Sequence, residues 1–321
     1  MKVFVTGATG FVTGTVTLQL LARGDDVRAL VRDPRRADTL ARAGATLVPG
    51  HLADADALRR GMEGVDGVVH GAAIYEVGIP ARRRPAMYEA NVIGTERVLE
   101  AARTAKVARV AYVSTCGVFG NTHGRVVDET YTRSGPYTSY YEETKVRAHE
   151  IAERFARDGV PVSIAQPGGV YGPGDTSGLG GLMREFVRGR LPLVPFADAG
   201  LNFVHVDDVA RGIVLVLDRG EVGRSYVLGG ENARVLDLFA ALASVAGRGL
   251  PRLRLPYALL ELGALLRPGL REVVSSTKGV TFWASDARAR SELGYASRAI
   301  AAGLRDTYGE QRVQPEESSW S

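Results

Sequence analysis

The chain has 321 residues, 45% of them hydrophobic, which is enough for a large domain with a smaller appendage and excludes a disordered or fibrous protein. Lys and Arg number 40 against 36 Asp and Glu, with only short basic clusters at Arg35 to Arg36 and Arg82 to Arg84, so no nucleic-acid partner is expected and small anionic ligands suffice. Cys116 is the only cysteine and the five histidines (His51, His70, His123, His149, His205) lack metal-ligand spacing, which excludes an internal disulfide and a cysteine-based metal cluster.

A strand-like run, Lys2 to Thr6, opens the chain without a leader pattern, and a cytoplasmic protein is expected. Further β-branched runs follow at Val27 to Val31, Ala45 to Val48, Gly67 to His70 and Arg109 to Ser114. Between them, helical spacing of apolar residues marks Gly14 to Ala22, Ala55 to Met62 and Tyr88 to Thr104. Such alternation implies right-handed crossovers and a parallel sheet covered on both faces. A helix starting near Tyr141 leads to a sixth strand, Pro161 to Gln166, and the Gly, Pro and Asp-rich turns at Gly168 to Asp175 mark a domain change. The expected fold is α/β: a doubly wound Rossmann domain over 1–168, to which later segments return, and a smaller α/β substrate-binding region over 169–310. In the latter, Leu179 to Arg188, Asp207 to Leu217 and Val235 to Ala246 are expected as helices and Ser225 to Leu228 as a strand. Leu255 to Leu270 is interrupted by Pro256, Glu261, Arg267 and Pro268 and falls short of the roughly 20 residues of a bilayer-spanning helix, so an amphipathic helix over a pocket is expected and no membrane partner. The polar tail, 311–321, is expected to be loose.

TGATGFVTG, Thr6 to Gly14, stands where a strand turns into a helix. Gly7 and Gly10 would let backbone approach a pyrophosphate lying at the helix N-terminus, with Thr9, Phe11 and Val12 beside it. The usual third glycine is Thr13, whose branched side chain is expected to push the helix out or tilt it. A plain structural turn is the alternative. At the end of the second strand, Arg32 takes the place where an acidic residue would select NAD, with Arg35 and Arg36 close behind, so NADP(H) is expected. NAD(H) stays open, because Asp33 could swing in to hold a ribose diol.

Thr115 follows the fifth strand, and in SYYEETK the pair Tyr141 and Lys145 stands one helical turn apart on one face. Free tyrosine, with a pKa of about 10, is a poor acid at neutral pH, and a nearby ammonium together with the positive nicotinamide of the oxidised cofactor is expected to lower it. Hydride delivery to a carbonyl carbon is expected, with Tyr141 protonating the oxygen, Thr115 hydrogen-bonding it and Lys145 tuning the tyrosine. Tyr140 lies five residues before Lys145, off that face.

TGATGF, HGAA (70–73), NVIGT (91–95), YVSTCGVFG (112–120), YEETK, PGGVYGPGD (167–175), NFVHVDDVA (202–210) and SDARARSELGY (285–295) occur in the order seen in the extended short-chain dehydrogenase/reductases, which the chain resembles over about two thirds of its length. The resemblance is to the NAD-dependent epimerase/dehydratase family and its dihydroflavonol reductase-like and hydroxysteroid dehydrogenase-like branch. It implies that Asn91 helps maintain a proton relay beside Lys145, that Ala72, Ala73, Pro167 and Val170 line the nicotinamide end, and that a homodimer forms on the helices carrying Asn91 and Tyr141. His51 replaces the acidic residue that reads adenine, beside Leu52. Three chemistries fit the scaffold. Reduction of a ketone or aldehyde of a small, largely apolar metabolite is preferred over a nucleotide-sugar epimerase or dehydratase and over a non-catalytic NADP-binding sensor. Sugar dehydratases that the family resembles carry an acidic pair after the catalytic Thr, where Cys116 and Gly117 stand here. Epimerases carry an Arg and an Asn where Leu201 and Gly169 stand, although Arg184, Arg188 or Arg252 could substitute. A small-molecule pocket is expected between the loop Ile74 to Ala86, the turn after Val170 and the C-terminal region. Leu179, Leu182, Phe196, Phe203, Leu259, Leu262 and Phe282 are its candidate apolar lining, and Arg82 to Arg84 could clamp an anion.

Overall fold

The computed structural model describes residues 1–251, 253–254 and 256–309; Arg252, Leu255 and the tail 311–321 lie outside the described residues. Thirteen strands are described: β1 (Lys2–Thr6), β2 (Asp26–Val31), β3 (Thr46–Pro49), β4 (Gly67–His70), β5 (Arg109–Val113), β6 (Val162–Pro167), β7 (Gly169–Tyr171), β8 (Leu193–Val194), β9 (Gly200–His205), β10 (Ser225–Leu228), β11 (Glu231–Arg234), β12 (Leu253–Arg254) and β13 (Thr281–Phe282). Seven form one parallel sheet in the order β10-β6-β5-β4-β1-β2-β3. β4 and β6 are buried along their whole length, as strands covered on both faces must be.

One face is closed by the helices Phe11–Ala22 and Val206–Arg219 through Val16, Leu20, Val209, Ile213 and Val216. The other carries Ala55–Met62, Gly94–Thr104 and Tyr140–Arg157, which bury Leu58, Met62, Val98, Leu99, Ala148 and Phe155. The order reverses between β1 and β4, and both chain turns that leave these strands open at the same crevice, the place where such sheets bind ligands. A second core, built on Met183, Phe186, Phe203, Phe239 and Leu304, lies under a smaller sheet of β11, β9, β13 and β7.

Three local differences from the sequence pattern have identifiable causes. The first helix begins at Phe11, three residues before the periodicity does, because Gly10 takes the extended N-cap conformation. The stretch Tyr88 to Thr104 is interrupted by one π turn, Glu89–Ile93, which carries Asn91. The late apolar segment is two helices, Tyr257–Leu266 and Pro268–Ser275, divided at Pro268, which suits a helix start and not an interior. Leu259 and Leu262, expected to line a pocket, are 58% and 63% exposed, while Phe203 is plain core. Among the described residues no helix is long and apolar enough to cross a membrane.

Candidate active site

The phosphate loop is shaped by what cannot fit. Gly7 has φ +74°, and a Cβ on it would lie 2.8 Å from the backbone N and Cα of Ala72, so only glycine is accommodated. Gly10 caps the following helix without a side-chain hydrogen bond, and no acidic residue occupies its first turn. The amides at Phe11 and Val12 are therefore left for an anion, beside exposed Thr9. These residues fit a dinucleotide pyrophosphate.

Thr13 does not act as a wedge. Its hydroxyl donates to Gly7 O at 2.5 Å, and its methyl fills the space a side chain on Gly71 would need, since a Cβ there would sit 2.3 Å from Thr13 Cγ2. The bulk moved from one side of the crevice to the other. Gly71→Ala is expected to cost about 1–3 kcal/mol by overpacking, measured by thermal melting, and Thr13→Gly in the same chain to recover most of it; additive losses would show that the two do not share the space.

At the end of β2, Arg32 is exposed, and among the described residues it makes no ion pair. Asp33 is committed: its carboxylate accepts from Arg35 Nε at 3.0 Å, from Arg35 Nη2 at 3.1 Å and from the Arg35 amide. Turning it towards a ribose would break that fork. His51 is exposed and accepts from the Ala53 amide at 3.2 Å, while Leu52 packs against the core beside Gly94.

The helix bearing Tyr141 and Lys145 is fixed at its start. Ser139 accepts from the Glu142 amide at 3.1 Å, and the buried Glu142 carboxylate accepts from Thr138 N and pairs with Arg133 at 2.5 Å. Lys145 is buried and donates to Val113 O at 2.9 Å and to the Tyr112 phenol at 3.2 Å, and burial lowers its pKa to about 7. Tyr141 packs edge-to-face on Tyr75, ring centroids 4.8 Å apart. Burial, then Tyr75 and Tyr112, push its phenol well above the ordinary value, and Lys145 is turned to Tyr112 and Val113; the lowering expected from the sequence draws also on the positive nicotinamide of the oxidised cofactor. Thr115 caps a short 3₁₀ turn and accepts from Gly117 N at 3.1 Å.

Asn91 is buried and does not touch Lys145. Its amide accepts from Ile74 N at 2.7 Å and donates to Ile74 O and to the Thr144 hydroxyl, tying the loop after β4 to the neighbour of Lys145. Ala72 and Ala73 follow β4, while Pro167 ends β6 and Val170 lies on β7, all at the carboxyl end of the sheet. Sequence reasoning missed three features here. Tyr112 was hidden in an apolar strand run. His70 and Thr95, joined at 3.0 Å, lie beneath it. Glu272, from the late helices, accepts from Gly78 N at 3.1 Å, pairs with Arg84 and reaches Tyr140 N, so Arg84 is spent on holding the loop, as Arg83 is on Glu76 at 2.7 Å.

Comparison with known proteins gives the same assignment. Residues 3–229 match the model of the NAD dependent epimerase/dehydratase family. A Synechocystis sp. protein whose name assigns it provisionally to dihydroflavonol 4-reductase is 34% identical over 264 residues, 80% of this chain and 76% of its own. A ketoreductase of Stigmatella aurantiaca, named for a 4-hydroxy-2-methyl-3-oxo-4-farnesyl-3,4-dihydroquinoline-1-oxide substrate, is 30% identical over 313 residues, 93% of this chain and 92% of its own. Among solved structures, gox2253 superposes with a TM-score of 0.83 at 32% identity, covering 96% of this chain and 98% of that one. The Streptomyces venezuelae dTDP-glucose 4,6-dehydratase DesIV, solved as a double mutant with NAD bound, superposes at 0.79 with 26% identity, covering 97% and 98%. The chain is an NAD(P)-dependent enzyme of the extended short-chain dehydrogenase/reductase type and belongs to the NAD-dependent epimerase/dehydratase family.

Proposed function

We propose that this enzyme is an NADP(H)-dependent carbonyl reductase that converts a ketone or aldehyde of a small, largely apolar metabolite to an alcohol. The observation that carries this reading is the chemistry of the two residues after Thr115. Cys116 is buried, its thiol donates to Gln166 O at 3.2 Å and burial pushes its pKa up, while Gly117 has no side chain, so no acid stands there to expel a sugar hydroxyl. Of the cations that could replace a diphosphate-binding Arg, the two among the described residues are engaged: Arg184 donates to Asp175 O, and Arg188 pairs with Glu185 at 3.1 Å.

The bound nicotinamide supplies the hydride. The Tyr141 phenol, protonated in this environment, gives its proton to the carbonyl oxygen, and Thr115 Oγ1 hydrogen-bonds that oxygen as charge develops on it. Lys145, one helical turn from Tyr141, supplies the positive charge of the pair, and Asn91 ties down the loop at Ile74 beside it. Arg32 holds the 2′-phosphate, with Asp33 unavailable to a diol.

Titration with NADPH and NADH, followed by cofactor oxidation against ketones, aldehydes and nucleotide sugars, tests this. Tighter NADPH binding, weakened about tenfold or more in Arg32→Ala while NADH is little affected, is expected together with carbonyl-dependent oxidation. An isomerised sugar without net oxidation would replace the reductase by an epimerase, and binding of neither cofactor would favour a scaffold. The proposed homodimer face, on the helices of Asn91 and Tyr141, carries Glu89–Arg97, Glu96–Arg154 and Glu143–Arg147 pairs. A dimer built on charges should weaken with added salt in light scattering; a salt-insensitive dimer would lie elsewhere.

A further inference from the structure

We propose that Tyr112 is a positioning residue of this site: its phenol oxygen holds the Lys145 ammonium. The proposal rests on reading Lys145 as one of the catalytic pair. Tyr112 lies on β5 and is 1% exposed, between Ala111 and Val113 in a strand that is otherwise apolar inside the sheet. A buried hydroxyl without a partner costs about 1–3 kcal/mol, so a phenylalanine would serve packing better unless the oxygen is used.

The directions of the hydrogen bonds around it are forced. Lys145 Nζ only donates, so at 3.2 Å the phenol oxygen accepts. Beside the phenol, Thr95 donates to Asn91 O at 2.7 Å, which leaves its oxygen to accept from His70 Nε2 at 3.0 Å. His70 must then carry its proton on Nε2 and accept at Nδ1 from Thr6 Oγ1, 2.7 Å away. Burial supports that neutral ring, with a pKa lowered to about 3. Thr6, His70 and Thr95 thus form a neutral hydrogen-bonded line beside Tyr112, whose ring centroid lies 5.7 Å from that of His70.

The groups facing Lys145 are few. β5 presents Tyr112, β4 presents His70, and its own helix presents Tyr141 one turn away; among the described residues no carboxylate hydrogen-bonds it. With two protein acceptors in all, losing one is felt directly by the charged form. Tyr112→Phe keeps the ring, which also lies 5.0 Å from Nζ, and removes only the oxygen.

The test reads Lys145 without turnover. The chain has four lysines, Lys2, Lys106, Lys145 and Lys278, so ¹³Cε-lysine spectra of the full-length protein give few resonances, and Lys145→Arg assigns the one of interest. Titrating the protein and Y112F should show Lys145 releasing its proton about one pH unit lower in the variant, a tenfold drop in proton affinity. An unchanged midpoint in folded Y112F overturns the proposal. Should Y112F not fold, 3-fluorotyrosine incorporated in place of tyrosine weakens the phenol oxygen as an acceptor and should lower the midpoint; an unchanged midpoint there overturns it equally. A purely structural role would lower the melting temperature and leave the midpoint in place. A shifted midpoint in a protein that reduces no carbonyl would count against the proposed reaction and leave the role of Tyr112 standing.

Discussion

Tyr141→Phe is expected to lower carbonyl reduction by about 10²–10⁴-fold while cofactor affinity stays within about twofold. The phenylalanine keeps the edge-to-face contact with Tyr75 and the burial of the ring, so the loop after β4 has no reason to move. What disappears is the proton that the developing alkoxide takes. On the proposed reading the cofactor is held chiefly elsewhere, by the Gly7 turn, the amides after Gly10 and Arg32. Single-turnover oxidation of bound NADPH, read beside fluorescence titration of the same sample, separates the two effects. Unchanged turnover would remove Tyr141 as the acid, and a parallel loss of cofactor binding would make it a structural residue.

Asp208→Ala is expected to destabilise the fold by about 3–5 kcal/mol, the largest stability effect foreseen. Asp208 starts the helix Val206–Arg219 and is fully buried; its carboxylate accepts from the Arg298 amide at 2.8 Å, from Arg298 Nε and Nη2 at 2.9–3.1 Å, and from Arg211. Removing it leaves the Arg298 guanidinium half-buried with only Asp207 and Asp306 nearby. Burial by itself would raise the Asp208 pKa, but the Arg298 amide and guanidinium outweigh it and hold the carboxyl below its ordinary value. Its contribution is therefore complete above the unfolded value of about 3.9 and is lost as pH falls through the lower folded value. Melting curves from pH 7 down to about pH 2 should converge for the protein and Asp208→Asn at the acid end; a constant gap would mean that the carboxylate charge is not what the site uses.

Much of the frame was legible from periodicity alone. Ala55 to Met62, Gly67 to His70, Ser225 to Leu228 and Val235 to Ala246 are where spacing and β-branching put them, because each packs one continuous apolar face. The short strands β8 and β12, two residues each, carry no period to detect. The candidate catalytic residues were visible because Thr115, Tyr141 and Lys145 sit within one strand end and one helix. Tyr112 and His70 were not, since in a strand buried on both faces a polar residue reads as one more core position; only its conflict with the apolar run could have flagged it. Glu272 was invisible for another reason: its partners Gly78 and Tyr140 lie more than a hundred residues away, and no local pattern encodes such a contact.

The return of the chain to the first sheet has a consequence for how this protein can diversify. β10 lies beyond β7, β8 and β9, yet it pairs with β6 and closes the edge of the sheet, with register Ser225 to Ile164 through Leu228 to Pro167. If the segment between β6 and β10 is the part that meets substrate, as proposed, it is inserted within the first sheet's scaffold and not appended to it. A fragment ending at residue 168 would expose the unpaired edge of β6 and invite strand-to-strand aggregation. New specificity can enter such an architecture only by remodelling the excursions between strands already committed to the frame.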